Sequence, residues 1–221
     1  MIKTLCDDGE WFKTDSVSVF FGNKNSQKSS STEVIQFGHQ VHKDELLEVD
    51  RSFGESSHFL AESDGLWTKK SNLKLGVYTA DCVPCFIYSA HKLFALHLGW
   101  RSLQLGLLEN ALKNIRSSDE TQIFIGPHIQ AASFEVGQDV LNKFKILMPD
   151  SKTQDWYEEL SYMKFKISLN KVILHKVSSL RPKVYSSEID TFTSANHCSY
   201  RRSNKTQVPN NGRNISFAFL N

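Results

Sequence analysis

Within one stretch of 21 residues the chain places a carboxylate, a thiol, an imidazole and a guanidinium: Asp81, Cys82, His97 and Arg101. They flank two short apolar runs, VPCFIY at 83–88 and LFALHL at 93–98, separated by the polar Ser89-Ala90-His91-Lys92. Two such runs around a short polar connection predict a β-hairpin. In an antiparallel pair the start of the first strand lies beside the end of the second. Cys82 and His97 are therefore expected to be spatial neighbours although 15 residues separate them. A thiol and an imidazole held together on a rigid hairpin form half of a metal site or half of a nucleophilic dyad. Most buried cysteines and strand histidines are plain core residues. Asp81 argues for more, because a carboxylate beside a buried thiol is costly unless it is hydrogen-bonded or close to a cation.

A third ligand would turn the pair into a zinc site with an open position, the catalytic arrangement in which bound water reaches a pKa of about 7. His39 and His42 both leave a strand nearby, and His42 lies closer to the strand that follows. Cys82-Val83-Pro84-Cys85 is formally a C-x-x-C. A redox pair places its first cysteine at a helix N-terminus, whereas this one enters a β run in which residues three apart face opposite ways. Cys85 is read as core.

These residues need a frame. A chain of 221 residues, 40% apolar and 23% charged with a formal net charge of +2, suits an ordinary globular protein. The even charge balance argues against nucleic acid as a partner. No apolar run approaches the roughly 20 residues that span a bilayer, and acidic residues occupy the first dozen positions where a signal peptide needs apolar ones. A cytoplasmic protein without a membrane partner is expected. Strands are predicted over 16–21, 34–37, 46–49, 66–68, 75–79, 122–125, 184–186 and 217–220, besides the hairpin. Helical spacing covers 103–115, 138–147 and 168–180, and the polar stretches 22–32 and 50–62 read as loops. The sum is an α/β (α+β) fold over residues 1–221, one domain of mixed β-sheet flanked by helices.

Seven motifs occur in order: QVH at 40–42, TADC at 79–82, HLGWRSL at 97–103, IGPHI at 125–129, FEVG at 134–137, SYRR at 199–202 and GR at 212–213. Together they resemble the YfiH-like laccase-domain family, also described as multicopper polyphenol oxidases and as purine nucleoside phosphorylases. The resemblance runs from about residue 34 to residue 219. It implies metal ligation by His42, Cys82 and His97, in agreement with the Cys82–His97 pair and choosing His42 where the residues alone leave His39 and His42 open. It further implies a zinc enzyme for purine nucleosides, acting by phosphorolysis of the glycosidic bond and by deamination of adenosine. Deamination needs a proton shuttle, for which Asp81 is the candidate. Phosphorolysis needs an anion site, for which Arg101, Arg202 and Arg213 are candidates because a guanidinium grips phosphate bidentately. Arg201 reads as a surface ion-pair residue.

The family's N-terminal pattern is missing from 18–33, Asp190-Thr191 stands where Cys-Thr is frequent, and His197-Cys198 replaces an aromatic pair. These differences fall where substrate choice is expected to be set. Three other readings follow from the same ligands. Copper suits a His/Cys set as well as zinc does, which gives a polyphenol oxidase. Cys82 with His97 as base gives a hydrolase for cell-wall precursors. A metal-binding protein without catalysis is the third. The expected partners are a purine nucleoside and phosphate, in a monomer or a homodimer.

Overall fold

The computed structural model describes all residues except 32, 53, 55–56, 150–154 and 209–211. In chain order the elements begin with a hairpin, β1 (Ile2–Cys6) and β2 (Gly9–Lys13), then β3 (Val17–Gly22), a short helix α1 (Ser26–Ser30) and β4 (Ile35–His39). Next come β5 (Leu46–Glu48), β6 (His58–Glu62), β7 (Gly65–Thr68), β8 (Lys74–Thr79) and the central hairpin, β9 (Val83–Ser89) with β10 (Lys92–Leu98). Helices α2 (Trp100–Leu105) and α3 (Leu107–Leu112) lead to β11 (Thr121–Ile125), β12 (Glu135–Gly137) and α4 (Gln138–Leu147). The remainder is β13 (Tyr157–Ser161), β14 (Lys164–Ile167), α5 (Leu169–Val177) with one 3-10 turn, β15 (Lys183–Ser186), α6 (Tyr200–Thr206) and β16 (Asn214–Leu220).

The strands form a seven-stranded sheet ordered β1-β2-β3-β16-β8-β4-β6, a six-stranded sheet ordered β15-β11-β9-β10-β7-β5, and a three-stranded sheet, β12-β14-β13. Both large sheets are mixed: β4 runs parallel to β6 and β8, and β11 runs parallel to β15. Alternation along β9 explains how the six-stranded sheet is used. Val83, Cys85 and Ile87 pack toward helix residues such as Leu107, Leu108, Val172 and Ile173. Phe86, one position out of phase, packs instead with Phe21, Val77 and Phe124 between the two large sheets. The outer face of the seven-stranded sheet buries Phe20, Ile35, Phe37 and Phe217. Each such large side chain contributes about 1.5–3 kcal/mol of burial.

The hairpin turns through Ala90 and His91, both at positive φ (48° and 60°), the backbone signs of a type I′ turn. Its register pairs Ser89 with Lys92 and His97 with Pro84. Cys82 and His97 therefore emerge together at the far end of the hairpin.

Several expectations need correction. The single helix over 103–115 is two helices broken at Gly106, whose φ of +97° no other residue type adopts cheaply. The stretch 22–32 contains α1, and the polar stretch 50–62 ends in β6. Strands β1, β2, β12, β13 and β14 and helix α6 have no counterpart in the sequence pattern. All of β1 is exposed, so no alternation marks it. No helix of the described residues is long and apolar enough to cross a membrane.

Candidate metal centre and its cleft

His42 lies in the loop after β4, Cys82 in the link from β8 to β9, and His97 near the end of β10. Their ligand atoms all fall within 4.8 Å of one another. Cys82 Sγ is 3.9 Å from His42 Nε2, and the two imidazoles meet edge to face with centroids 4.8 Å apart. Tetrahedral zinc with usual bond lengths would set sulfur and nitrogen about 3.6 Å apart, so the donors stand close to ligating distance. Two imidazoles and a thiol are borderline-soft donors that suit zinc or copper. Gly99 lines the same spot: a Cβ there would lie 2.9 Å from Cys82 Sγ and 3.4 Å from His42 Cδ2. The backbone leaves room for the ligand cluster and for little else.

One side chain that the sequence pattern does not single out organises two of the three donors. The Asp64 carboxylate is fully buried, and its Oδ1 lies 2.7 Å from His97 Nδ1. Its Oδ2 accepts hydrogen bonds from the backbone N–H groups of Val41 (2.9 Å) and Lys43 (2.8 Å). Between them His42 sits at φ +61°, in the left-handed region. The Asp64 carbonyl also accepts from His97 N–H at 2.8 Å. Holding Nδ1 in this way leaves His97 Nε2 as the free ring nitrogen, the usual arrangement for a metal-ligating imidazole.

The charges are coupled. Burial pushes the Cys82 thiol up, but the His97 and His42 imidazoles outweigh it and bring the thiol down to about 6. Burial opposes the charge on His97, but the Cys82 thiolate and the Asp64 carboxylate raise it to about 9. A thiolate and an imidazolium in contact are the resulting state. Cys85 is held up at about 12 by burial alone, as befits a core thiol.

The trio opens into a cleft of about 1070 Å³, at the upper end of small-molecule pockets, which run from about 300 to 1,000 Å³. Asp81 lines it at φ +90°, a conformation that costs an aspartate on the order of 1–3 kcal/mol. It is held there because Oδ1 accepts from Thr191 Oγ1 (2.7 Å), Oδ2 accepts from Arg201 N–H (2.6 Å) and its carbonyl accepts from Ile129 N–H. Each carboxylate oxygen keeps one further lone pair. Arg101 also lines the cleft, its guanidinium stacked 4.3 Å over the Trp100 ring. Arg213 lines it from the start of β16, exposed, with Nη1 on the carbonyl of Gly212. His39 faces the same cleft but is absent from the ligand cluster.

Arg202 does not take the place expected of it. Its Nη1 donates to the carbonyls of Thr191 (2.7 Å), Phe192 (2.9 Å) and Ser194 (3.0 Å), and Nη2 donates to that of His197. The guanidinium is consumed in bracing the 191–197 loop and does not line the cleft. Arg201 does line it, and no surface ion pair occupies it among the described residues. The cleft is also lined by an aromatic shelf that no sequence motif announces. Phe59 is 56% exposed and stacks with Tyr78 (centroids 5.5 Å, planes 12° apart), and Phe37 backs both rings.

The model of the family described as multi-copper polyphenol oxidoreductase laccase matches residues 22–221. Among curated proteins, the chain is 32% identical to a purine nucleoside phosphorylase of Clostridium acetobutylicum over 113 residues, 48% of this chain and 46% of that protein. It is 28% identical to the purine nucleoside phosphorylase of Haemophilus influenzae over 198 residues, 83% of this chain and 79% of the relative. The first of these matches thus spans about half the length of the relative. Among solved structures, YlmD from Geobacillus stearothermophilus superposes with a TM-score of 0.81 at 18% identity, covering 99% of this chain and 98% of that one. The hypothetical protein YfiH of Bacillus licheniformis does so with a TM-score of 0.79 at 20% identity, covering 93% of each chain. At such identities the structures speak for the fold.

Proposed function

Because the chain belongs to the multi-copper polyphenol oxidoreductase laccase family, we propose that it works as a zinc-dependent purine nucleoside phosphorylase that also deaminates adenosine. The observation that carries the reading is the His42–Cys82–His97 cluster at one end of a cleft that holds cationic side chains and an aromatic shelf. The names of the Clostridium and Haemophilus relatives support it. His42, Cys82 and His97 would hold the ion. Bound zinc supplies a Lewis acid and a water acidified toward neutrality.

The protein's own residues supply the rest. The Phe59–Tyr78 shelf offers a flat face on which a purine can stack. Arg101 and Arg213 would hold phosphate beside the sugar. In phosphorolysis a phosphate oxygen bonds to the anomeric carbon, the glycosidic bond breaks, and the base departs with the electron pair and takes up a proton. In deamination water adds at C6 and ammonia leaves, and Asp81 would carry the proton from water to the departing amine.

The test is product analysis on zinc-loaded protein. Adenosine should give inosine without phosphate, and adenine with ribose 1-phosphate when phosphate is added. Asp81→Asn should lower inosine formation by about 10²–10⁴-fold while zinc is retained. Protein that leaves adenosine, inosine and guanosine untouched, yet oxidises phenols when loaded with copper, would refute the proposal. A second reading, a Cys/His hydrolase, is favoured by one observation: Cys82 sits against the His97 imidazole, which lowers the thiol toward the ionised state of a nucleophilic dyad. Loss of thiol reactivity on loading with zinc separates the two.

A further inference from the structure

We propose that Arg201, and not its neighbour Arg202, joins Arg101 and Arg213 in binding inorganic phosphate in this cleft. The proposal deepens the phosphorylase reading and rests on it for the role of the anion. Consecutive helical residues leave the axis about 100° apart, and the two adjacent arginines at the start of α6 take different partners. Arg202 turns toward the 191–197 loop and spends both amino groups on four carbonyls. Arg201 turns the other way, into the cleft.

Three contacts set Arg201 in place. Its backbone N–H donates to Asp81 Oδ2 (2.6 Å), one residue from Cys82; its Nη1 donates to the carbonyl of Glu135 (2.9 Å); and its guanidinium carbon lies 5.6 Å from the Phe134 ring centroid. Anchoring at Nη1 leaves the opposite edge of the fork, Nε and Nη2, without a partner among the described residues. That edge presents two parallel N–H donors, the geometry that takes a tetrahedral oxyanion side-on. None of Arg201, Arg101 and Arg213 enters an ion pair among the described residues, in which every cation is a lysine or a histidine. The one carboxylate lining the cleft, Asp81, already receives Thr191 Oγ1 and the Arg201 main chain, and the Glu135 carboxylate is paired with Lys164. A half-buried guanidinium with a rigid, unpaired edge in a cleft otherwise poor in free carboxylate is built for an anion that arrives from solution. A neutral nucleoside does not meet that demand, and phosphate does.

The experiment titrates inorganic phosphate, without nucleoside, into zinc-loaded wild type, Arg201→Gln, Arg201→Lys and Arg202→Gln, by calorimetry and by the phosphate-induced rise in melting temperature. Arg201→Gln should weaken phosphate binding roughly 10- to 100-fold, the scale of one bidentate charge-assisted contact, with zinc content unchanged. Arg201→Lys should recover only part, because an ammonium cannot grip two oxygens side-on. Arg202→Gln should melt earlier without phosphate and bind phosphate as wild type does. Phosphate binding by Arg201→Gln at wild-type strength overturns the proposal. So does equal weakening in both glutamine variants, which would mark a structural role. Should Arg201→Gln fail to fold, Arg201→Lys serves in its place, and wild-type affinity there overturns the proposal. Wild type that ignores phosphate overturns it outright. Phosphate binding through Arg201 without nucleoside turnover would sink the phosphorylase reading and leave this site standing.

Discussion

In protein stripped of any bound metal, Cys82 should be the most reactive thiol of the chain at neutral pH. With a pKa of about 6, roughly nine-tenths of Cys82 is thiolate at pH 7. Cys6 is exposed, but burial of its sulfur and the neighbouring Asp8 raise it to about 11, so only about one molecule in 10⁴ is ionised. The low-pKa thiolate is also the weaker nucleophile: a Brønsted slope of about 0.4–0.5 over five pKa units takes back roughly 2–2.5 of those four decades. The net advantage of Cys82 is then on the order of 30- to 100-fold. Cys85 and Cys198 are buried, with pKa values pushed up by that burial, and should lag. The assay is iodoacetamide labelling of chelator-treated protein between pH 5 and 9, read by peptide mass spectrometry. A thiol whose pKa is lowered is reactive above that pKa and falls silent as pH drops through it, so the rate should halve near pH 6. His97→Ala removes the strongest stabilising charge and should move the inflection toward 9. Zinc should protect Cys82. Labelling of Cys6 ahead of Cys82, or an inflection near 9 in the wild type, would refute the account of this site.

Two further substitutions probe how the donors are held. Asp64→Asn keeps the shape but loses the carboxylate that sets His97 and the 41–43 loop, and should weaken zinc about 10- to 100-fold in a chelator competition. Gly99→Ala meets no backbone strain, since φ is −83°, yet its Cβ would lie 2.9 Å from Cys82 Sγ. It should therefore lose zinc in elemental analysis while circular dichroism stays as in the wild type.

The hairpin and the nearness of Cys82 to His97 were legible because apolar alternation, a polar turn and both side chains lie within one short stretch. The choice of His42 over His39 was not, since it rests on a loop 40 residues from Cys82. What escaped has physical reasons. Asp64 acts on a histidine 33 residues away, and Ser63-Asp64-Gly65 carries the look of an ordinary turn. Choosing between Arg201 and Arg202 needs the direction in which α6 projects them, and that short helix has no buried residue to betray it. Gly106 at a helical position signals a break only once its φ is known. The hairpin β13–β14 is largely exposed on β13, so its sequence YEELS lacks the alternation that marks a half-buried strand.

The place of β16 has a consequence for how the protein comes to exist. It sits between β3 and β8, pairing with both, and Ser18 reaches Asn221 across 203 residues of chain. The two strands beside it are made early, and neither can pair with the other in its absence. As the polypeptide leaves the ribosome, β3 and β8 must wait with open, apolar edges until residues near 220 emerge. Closure of so distant a pairing is slow. Until then those edges are open to pairing with other chains, and a product truncated shortly before Asn214 would have its larger sheet split in two.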